Sequence, residues 1–197
     1  MLAAHFDRVV GSDGSVAQLR AATRAPRVDY LASLAETAAL RAGRVDLVTL
    51  AQAFHWIDAP RFYAEVARVA AAGAALAIWG YARLQASAPI EALIHRFHDE
   101  TVGPYWSKER KLVEAGYRSF EIPIHEVPAP AFAIEAVLTL PELLGYLRTW
   151  SAVGKYFSER GTDPVVLLEP DLAACWGEPT TGRLIKWPVF VRAGRWR

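Results

Sequence analysis

Cysteine, net charge and long apolar runs are all scarce in this chain of 197 residues. The single cysteine, Cys175, excludes an internal disulfide and any cysteine-based zinc cluster, and it is typical of a reducing compartment. Lysine and arginine total 22 against 21 acidic residues, so the net charge of +1 gives no electrostatic reason to expect a nucleic acid or an anionic membrane as partner. No apolar run reaches the roughly 18 residues that span a bilayer, and the N-terminal residues lack the pattern of a signal peptide. We therefore expect a cytoplasmic protein that binds neither nucleic acid nor membrane.

What the chain does have is a globular composition with 53% hydrophobic residues. Up to residue 87, apolar runs of strand length alternate with stretches of helical period, which indicates an α/β fold with a parallel sheet. The predicted strands cover 6–13, 28–31, 45–51 and 74–80, and the third is apolar enough to be buried on both faces. A helix is expected at 15–22, and a second begins after Asp58, with Pro60 in its first turn, and ends at Gly73.

Only Pro26 and Pro60 of the 12 prolines precede residue 88, so the later half is less regular. Helices are predicted at 89–102, 141–151 and 164–175, and strands at 132–140 and 184–191. The segment from Pro123 to Pro130 is interpreted as a bridging loop. The basic residues 192–197 are interpreted as an exposed end.

Two groups of residues can carry chemistry. Asp13 ends a predicted strand, where a carboxylate can accept hydrogen bonds from two ribose hydroxyls; alternatively it caps the following helix. The loop Ala51-Gln52-Ala53-Phe54-His55-Trp56 follows the third strand. Its small residues allow a ligand near the backbone, and His55 is a candidate general base. The alternative is that Phe54 and Trp56 are core residues and that His55 is a structural histidine.

These two groups resemble those of class I S-adenosylmethionine-dependent methyltransferases. The segment Val9–Ser15, the pair Ala35-Glu36, the segment 45–56 and the helix from Phe62 to Gly73 match the order and spacing of that family. The loop Ala-Gln-Ala-x-His-Trp is most similar to the trans-aconitate methyltransferase-like branch, and residues 144–153 and Trp187-Pro188 also resemble it. The likeness implies a Rossmann-like sheet, with residues 1–87 as a partial cofactor-binding core and 88–197 as a cover region of helices and terminal strands that completes the same domain.

The resemblance also assigns roles to individual positions. Asp13 would bind the ribose of S-adenosylmethionine, and Gly14 and Ser15 would shape the turn beside the adenosine. Leu34 stands where relatives have an acidic or small polar residue before the Ala-Glu pair, so we expect only apolar or backbone contact with adenine from Leu34 and Ala35. The resemblance places Ala51 and Gln52 under the methionine part. His55 and Trp56 would border the acceptor pocket.

The beginning of the chain departs from the family pattern. A first strand and a Gly-x-Gly-x-Gly turn should precede Asp13 by about 20 residues, yet only 12 residues come before it and Gly11 is their one glycine. We interpret the sequence as lacking this strand and turn, so that Met1 is either a secondary start or the start of a truncated form. The strands at Val9 and Val45 would then pair directly or leave open edges, and cofactor binding would be weak or lost.

Other candidates lie in the later half. His95 and His98 are three residues apart on a predicted helix, which suits a metal, but a solvated helix face is favoured and no metal is proposed. Aromatic residues there form either a lid over the acceptor or a subdomain core: Trp106, Tyr117, Tyr146, Trp150 and Tyr156. Arg148 and Lys155 either pair with a carboxylate acceptor or lie on the surface.

The leading hypothesis is methyl transfer from S-adenosylmethionine to the oxygen of a small molecule, with a carboxylate as one candidate acceptor. The alternative is a non-catalytic methyltransferase-like fragment that acts as a binding or regulatory subunit, its exposed sheet edge covered by a partner or by a second copy in a homo-oligomer. A nicotinamide-dependent dehydrogenase fits the fold but not the loop at 51–56.

Overall fold

The computed structural model describes residues 2–197. The first part of the chain forms the elements β1 (Val9–Asp13), α1 (Val16–Ala21), β2 (Val28–Ala32), β3 (Val45–Ala51), α2 (Ala59–Val69) and β4 (Ala70–Tyr81). The remainder forms α3 (Ala88–Arg96), α4 (Arg110–Glu114), β5 (Ile124–Val127), β6 (Phe132–Leu138), α5 (Leu140–Arg148), α6 (Ser151–Arg160), α7 (Val165–Trp176) and β7 (Arg183–Trp196). A short 3-10 turn covers Phe54–Trp56, and a π-helical turn, Phe97–Thr101, continues α3.

These elements are distributed over two compact units. Unit 1 contains the chain up to Ile78 together with residues 121–128 and 192–197, and unit 2 contains residues 79–120 and 129–191. The long strands β4 and β7 each contribute residues to both units. The sequence suggests a different division, with residues 1–87 as the cofactor-binding core and 88–197 as the cover region. This division concerns function and stays a prediction.

The strands form two separate sheets. β1 pairs with β2 in parallel, from Val9 opposite Val28 to Asp13 opposite Ala32. The other sheet has the order β3-β4-β7-β5, and β6 pairs with β7 as well. Within the described residues, β1 and β3 do not pair. Of the two arrangements expected for these strands, the structure has the one that leaves open edges.

Helix α2 illustrates how local sequence produces this architecture. Asp58 caps it by accepting a hydrogen bond from the Arg61 amide at 3.1 Å, and Pro60 occupies the first turn, as predicted. Phe62, Val66 and Val69 are buried at spacings of four and three residues, which places them on one face. The helix ends at Val69 rather than at the predicted Gly73, because β4 begins at Ala70.

Two sequence-based expectations near the C-terminus are wrong. The segment predicted as a bridging loop contains β5, which pairs antiparallel with the end of β7 from Ile124 opposite Trp196 to Val127 opposite Ala193. Residues 192–197 therefore form a paired strand for most of their length and not an exposed end. Arg192 donates a hydrogen bond to Glu126 at 2.8 Å, which adds an ion pair to this pairing.

The predicted helices and strands of unit 2 are present, and the structure adds two helices that the sequence did not reveal, α4 and α6. The helix predicted at 141–151 is α5, and after a break at Thr149 and Trp150 the chain continues as α6. The core of this unit is formed by fully or nearly fully buried side chains from α3, α5, α7 and β7: Ile90, Leu143, Leu147, Leu172, Trp176 and Ile185. In residues 2–197, no helix is both long and apolar enough to cross a membrane.

Candidate functional site

Asp13 lies at the carboxyl end of β1, where the sequence placed it. Its Oδ1 accepts a hydrogen bond from the Ser15 amide at 2.7 Å, while the Ser15 hydroxyl caps α1 by accepting from the Gln18 amide at 3.4 Å. The side chain of Asp13 thus shapes the turn before the helix, and the cap itself is Ser15. A carboxylate has about four acceptor positions, so this single bond leaves acceptor capacity for ligand hydroxyls.

The end of β2 lies beside this turn. The Ser33 amide donates to the Asp13 carbonyl at 3.2 Å, and a β-carbon on Gly14 would lie 3.2 Å from Leu34 Cδ2. A larger residue at position 14 would require the Leu34 side chain to shift by a few tenths of an ångström. Leu34 is 57% exposed, so it presents an apolar surface to solvent next to the Asp13 carboxylate. Asp13, Gly14 and Leu34 thus lie close together, and their role as cofactor-binding residues stays a prediction.

The loop after β3 divides its aromatic residues between two roles. Phe54 is fully buried and packs on Phe62 and Tyr63 with ring centroids 6.2 Å apart in each pair. Trp56 is 66% exposed, and the His55 ring lies against it with centroids 4.8 Å apart. The core interpretation is therefore correct for Phe54 and wrong for Trp56, which is available to a ligand.

Gln52 introduces backbone strain at the end of β3. Its φ of +51° lies in the left-handed region, which costs a non-glycine residue roughly 1–3 kcal/mol. The preceding Ala51 is exposed and has only a methyl side chain, so the backbone of this segment is accessible. Strain of this kind concentrates at ligand-binding loops, and Gln52 is one of the predicted site residues.

Glu36 connects the two groups of site residues, a role that the sequence did not reveal. Its Oε1 accepts a hydrogen bond from the Asp58 amide at 3.0 Å, which joins the segment after β2 to the start of α2 just past the 51–56 loop. The Ala35-Glu36 pair thus positions the loop. Glutamate is a common residue, and this hydrogen bond depends on the fold that brings Glu36 close to Asp58, so the local sequence contains no signal for it.

Arg68 joins the segment that follows Glu36 to helix α2. Its guanidinium donates to the carbonyls of Ala38 at 2.8 Å and Leu40 at 2.9 Å and forms an ion pair with Glu65 at 2.6 Å. The hydrogen bond from Arg68 also lowers the pKa of the Glu65 carboxyl. These bonds fix residues 38–40 against α2.

A cavity of about 780 Å³ separates β1 from β3 in unit 1. It is lined by residues of both strands, among them Val9, Val10, Val45 and Leu47, and by the apolar side of α2. The prediction that β3 is buried on both faces is therefore wrong, since Leu50 is its one buried residue. The unpaired edges of β1 and β3 are among its walls.

Arg148 and Trp150, the predicted acceptor residues of unit 2, have different surroundings. Arg148 forms an ion pair with Asp163, with 2.7 Å between Nε and Oδ2. Trp150 belongs to an aromatic group with Trp106 and Tyr146, with ring centroids 5.5 Å and 6.1 Å from its own. Both residues stay predictions as site residues, and Trp150 is the one that lines a cavity.

The expectation of a solvated face for the two histidines is wrong for His98. Its side chain is only 5% exposed and lies against Trp106 with ring centroids 4.8 Å apart. His95 is half-buried and its Nε2 is 3.2 Å from the Leu84 carbonyl oxygen. No group of metal-ligating side chains is found in the part of the chain that the structure describes. Helical spacing alone could not show that Trp106 and Trp150 cover this face.

Comparison with known proteins gives a consistent result. The methyltransferase domain family matches residues 1–78. A Dictyostelium discoideum protein named as a methyltransferase is 30% identical over 165 residues, covering 82% of this chain and 63% of its own length. The chain thus spans less than two thirds of that curated relative.

Solved structures are similar over nearly the whole chain. An Anaeromyxobacter dehalogenans structure, described as a type II methyltransferase, is 40% identical with a TM-score of 0.91, over 98% of this chain and 83% of that one. A methyltransferase structure from Anabaena variabilis shares the fold at a TM-score of 0.50 and 18% identity, over 90% of this chain and 80% of that one. The chain belongs to the class I S-adenosylmethionine-dependent methyltransferases. The predicted Rossmann-like methyltransferase fold is confirmed, and the non-catalytic alternative is not favoured.

Proposed function

We propose that this protein transfers the methyl group of S-adenosylmethionine to an oxygen atom of a small molecule, with a carboxylate as the first acceptor to test. The observation that carries the proposal is that two strands of unit 1 end in accessible residues. Asp13 is the last residue of β1, and Ala51 is the last residue of β3, with Gln52 directly after it. Ligands of doubly wound folds lie over the carboxyl ends of the strands. Assignment to the trans-aconitate methyltransferase-like branch is part of this proposal and rests on the 51–56 loop.

The residues at these strand ends fit the nucleoside part of the cofactor. Asp13 has the acceptor capacity to bind two ribose hydroxyls, and exposed Leu34 with Ala35 offers an apolar surface for the adenine ring. Gly14 and Ser15 hold the turn that carries Asp13. The exposed Ala51 and the left-handed Gln52 allow the methionine part to approach the backbone.

When bound, S-adenosylmethionine would supply a methyl group on a sulfonium: the acceptor oxygen forms a bond to that carbon as its bond to sulfur breaks, and S-adenosylhomocysteine leaves. The protein's task is therefore to align the acceptor and to exclude water. His55 and Trp56 are placed to border the acceptor, with Trp56 supplying an exposed apolar wall. A carboxylate acceptor is already a nucleophile and needs no base. For a hydroxyl acceptor, His55 would act as the base that takes the proton.

The 197-residue chain should bind the cofactor weakly, because no Gly-x-Gly-x-Gly turn precedes Asp13 in it. We expect a Kd for S-adenosylhomocysteine between about 100 μM and 5 mM, since such a turn would supply the contacts to the amino acid end. Ligand-observed NMR measures binding in this range. Micromolar affinity of the purified chain would contradict the role given to the missing turn.

The variant Asp13→Ala tests the function itself, with Asp29→Ala as the matched control. Asp29 is an exposed carboxylate of the neighbouring strand and pairs with Arg8 at 2.8 Å. We expect Asp13→Ala to remove the S-adenosylhomocysteine signal and the transfer of a labelled methyl group to small carboxylic acids, and Asp29→Ala to preserve both. Equal signals in the two variants, or no signal from the unmodified chain at about 5 mM ligand, would refute the proposal.

Two expectations about partners and location remain proposals. The open edges of β1 and β3 allow strand addition by a second copy of the chain, which light scattering after size exclusion would detect. A cytoplasmic location, inferred from the single cysteine, would be checked by fractionation.

A further inference from the structure

Unit 2 contains a second, smaller cavity of about 180 Å³ whose walls are cationic and aromatic. None of the described residues that line it is acidic. Its titratable side chains and its indole rings come from eight residues: Tyr81, Arg83, His95, His98, Trp106, Arg110, Tyr146 and Trp150. Neither the methyltransferase family match, which ends at residue 78, nor the proposed cofactor residues include this cavity.

Two buried nitrogen atoms in this wall have no hydrogen-bond partner among the described residues. They are His98 Nε2, on a residue that is 4% exposed, and Arg110 Nε. Both lie near the same carboxylate oxygen, Glu114 Oε1, which is 3.5 Å from His98 Nε2 and 3.7 Å from Arg110 Nε. These separations are too long for good hydrogen bonds.

The carboxylate of Glu114 is already engaged by a third nitrogen. Arg83 Nη2 lies 3.1 Å from the same Glu114 oxygen, and Arg83 also forms an ion pair with Asp99 at 2.8 Å. One oxygen has two lone pairs, so it cannot satisfy all three nitrogens. The cluster therefore leaves Arg110 Nε without a good acceptor and His98 Nε2 without a donor.

Arg110 is oriented by an aromatic ring. Its guanidinium carbon lies 4.8 Å from the centre of the Trp106 ring, and Trp150 lies 5.5 Å from Trp106, measured between ring centroids. A guanidinium stacked on an indole keeps its planar edge for a carboxylate, whose two oxygens match the guanidinium fork. A flat ring attached to that carboxylate would meet the indoles.

We propose that this cavity binds a small aromatic carboxylate, whose oxygens accept hydrogen bonds from Arg110 and His98 and whose ring packs on Trp106 and Trp150. The size agrees, since a cavity of roughly 150 Å³ holds one benzene ring. Binding itself is independent of methyl transfer. Identification of this ligand as the methyl acceptor rests on the proposed function.

Ligand binding is coupled to protonation of His98. Burial lowers the pKa of this imidazole, and the nearby Arg83 and Arg110 lower it further, whereas Asp99 and Glu114 raise it, so the free protein holds His98 neutral at pH 7. Asp99 Oδ1 is 2.8 Å from His98 Nδ1 and so fixes the proton on that nitrogen. A bound carboxylate favours the doubly protonated ring, which donates through Nε2. Affinity should therefore fall as the pH rises from 6 to 8.

Titration calorimetry of the 197-residue chain with benzoate tests the proposal, with benzamide and acetate as probes that lack the charge or the ring. We expect saturable benzoate binding with a Kd below about 1 mM at pH 6.5 and at least tenfold weaker binding of both other probes. Titrations in buffers of different ionisation enthalpy should show proton uptake. Arg110→Gln should weaken benzoate binding roughly tenfold to a hundredfold, because it removes a charge-assisted hydrogen bond.

Arg96→Gln is the matched control. Arg96 is an exposed arginine of the same unit that pairs with Asp171 at 3.2 Å and does not line the cavity, so its loss should leave benzoate binding unchanged. His98→Gln should abolish the proton uptake, and thermal unfolding checks that each variant is folded.

Several results would overturn the proposal. Absence of benzoate binding, equal affinity for benzamide, or equal weakening by Arg96→Gln would each contradict it, and benzoate binding without proton uptake would contradict the role of His98. The two proposals fail separately. Loss of benzoate binding with an intact S-adenosylhomocysteine signal refutes only this one, whereas the reverse refutes only the proposed function.

Discussion

Phe54 and Trp56 are two residues apart in the loop after β3, and the structure gives them opposite roles that a pair of variants can separate. Phe54 is fully buried among neighbouring side chains, whereas Trp56 is 66% exposed to solvent. Phe54→Ala should therefore destabilise the fold, and Trp56→Ala should affect function without affecting stability. The comparison tests whether the loop is anchored as described.

The expected cost of Phe54→Ala follows from its surroundings. Truncation of a fully buried phenylalanine costs about 3–5 kcal/mol, including the cavity that remains. The edge-to-face contact with Phe62, at 64° between ring planes, contributes about 0.5–1.5 kcal/mol beyond burial. We expect a loss of about 4 kcal/mol in the free energy of unfolding. Trp56→Ala should cost less than about 1 kcal/mol because the side chain is mostly in solvent.

Urea unfolding followed by far-UV circular dichroism measures both values without relying on tryptophan emission. Phe54→Leu serves as an intermediate, since it retains most of the apolar volume and should cost less than half as much as alanine. Trp56→Ala should lower activity in the methyl-transfer assay while the urea midpoint of its unfolding stays close to that of the unmodified chain. The reasoning would be refuted if Trp56→Ala and Phe54→Ala destabilised the protein equally.

Three further predictions concern the rest of the chain. Burial lowers the pKa of His98 below the ordinary 6.5, so unfolding takes up a proton in mild acid and stability should be lost as pH falls below about 6.5. His98→Gln should flatten this dependence of Tm on pH, whereas replacement of the exposed His125 should not. Deletion of residues 192–197 removes the partner of β5 and should abolish cooperative unfolding, as seen by circular dichroism. Arg148→Met should lower stability by less than about 1 kcal/mol, because its ion pair with Asp163 is partly exposed; a double-mutant cycle gives the coupling.

Each of these has a contrary outcome. A pH dependence unchanged by the His98 variant would show that the buried imidazole is not the titrating group. A cooperatively folded deletion variant would show that the terminal strand is dispensable, and a coupling of several kcal/mol between Arg148 and Asp163 would show a buried pair.

The sequence predicted those features that depend on neighbouring residues. The start of α2 followed from Asp58 and Pro60, and its buried face followed from the spacing of Phe62, Val66 and Val69. Asp13 and the 51–56 loop lie at strand ends because short apolar runs followed by turn residues define such ends. The exposed position of Trp56 could not be predicted, since an aromatic residue beside buried Phe54 has the same local pattern as a core residue.

What the sequence did not reveal depends on pairing between distant segments. β5 and the end of β7 are each short and weakly patterned, and they become strands because they pair with each other across 66 to 72 positions, from Val127 opposite Ala193 to Ile124 opposite Trp196. His98 is buried because Trp106 and Trp150 pack on its helical turn. The same distance along the chain conceals the contact between Glu36 and Asp58.

The Glu36–Asp58 hydrogen bond has a consequence for motion. It joins the segment next to the predicted adenine surface to the residue that caps α2, so the 51–56 loop is held at its downstream end by a carboxylate from another part of unit 1. The Asp58 amide should therefore exchange slowly with deuterated solvent although its residue is exposed, and Glu36→Gln should accelerate that exchange. Because the same bond connects the two groups of site residues, a nucleoside that orders one group would also slow the opening of the other.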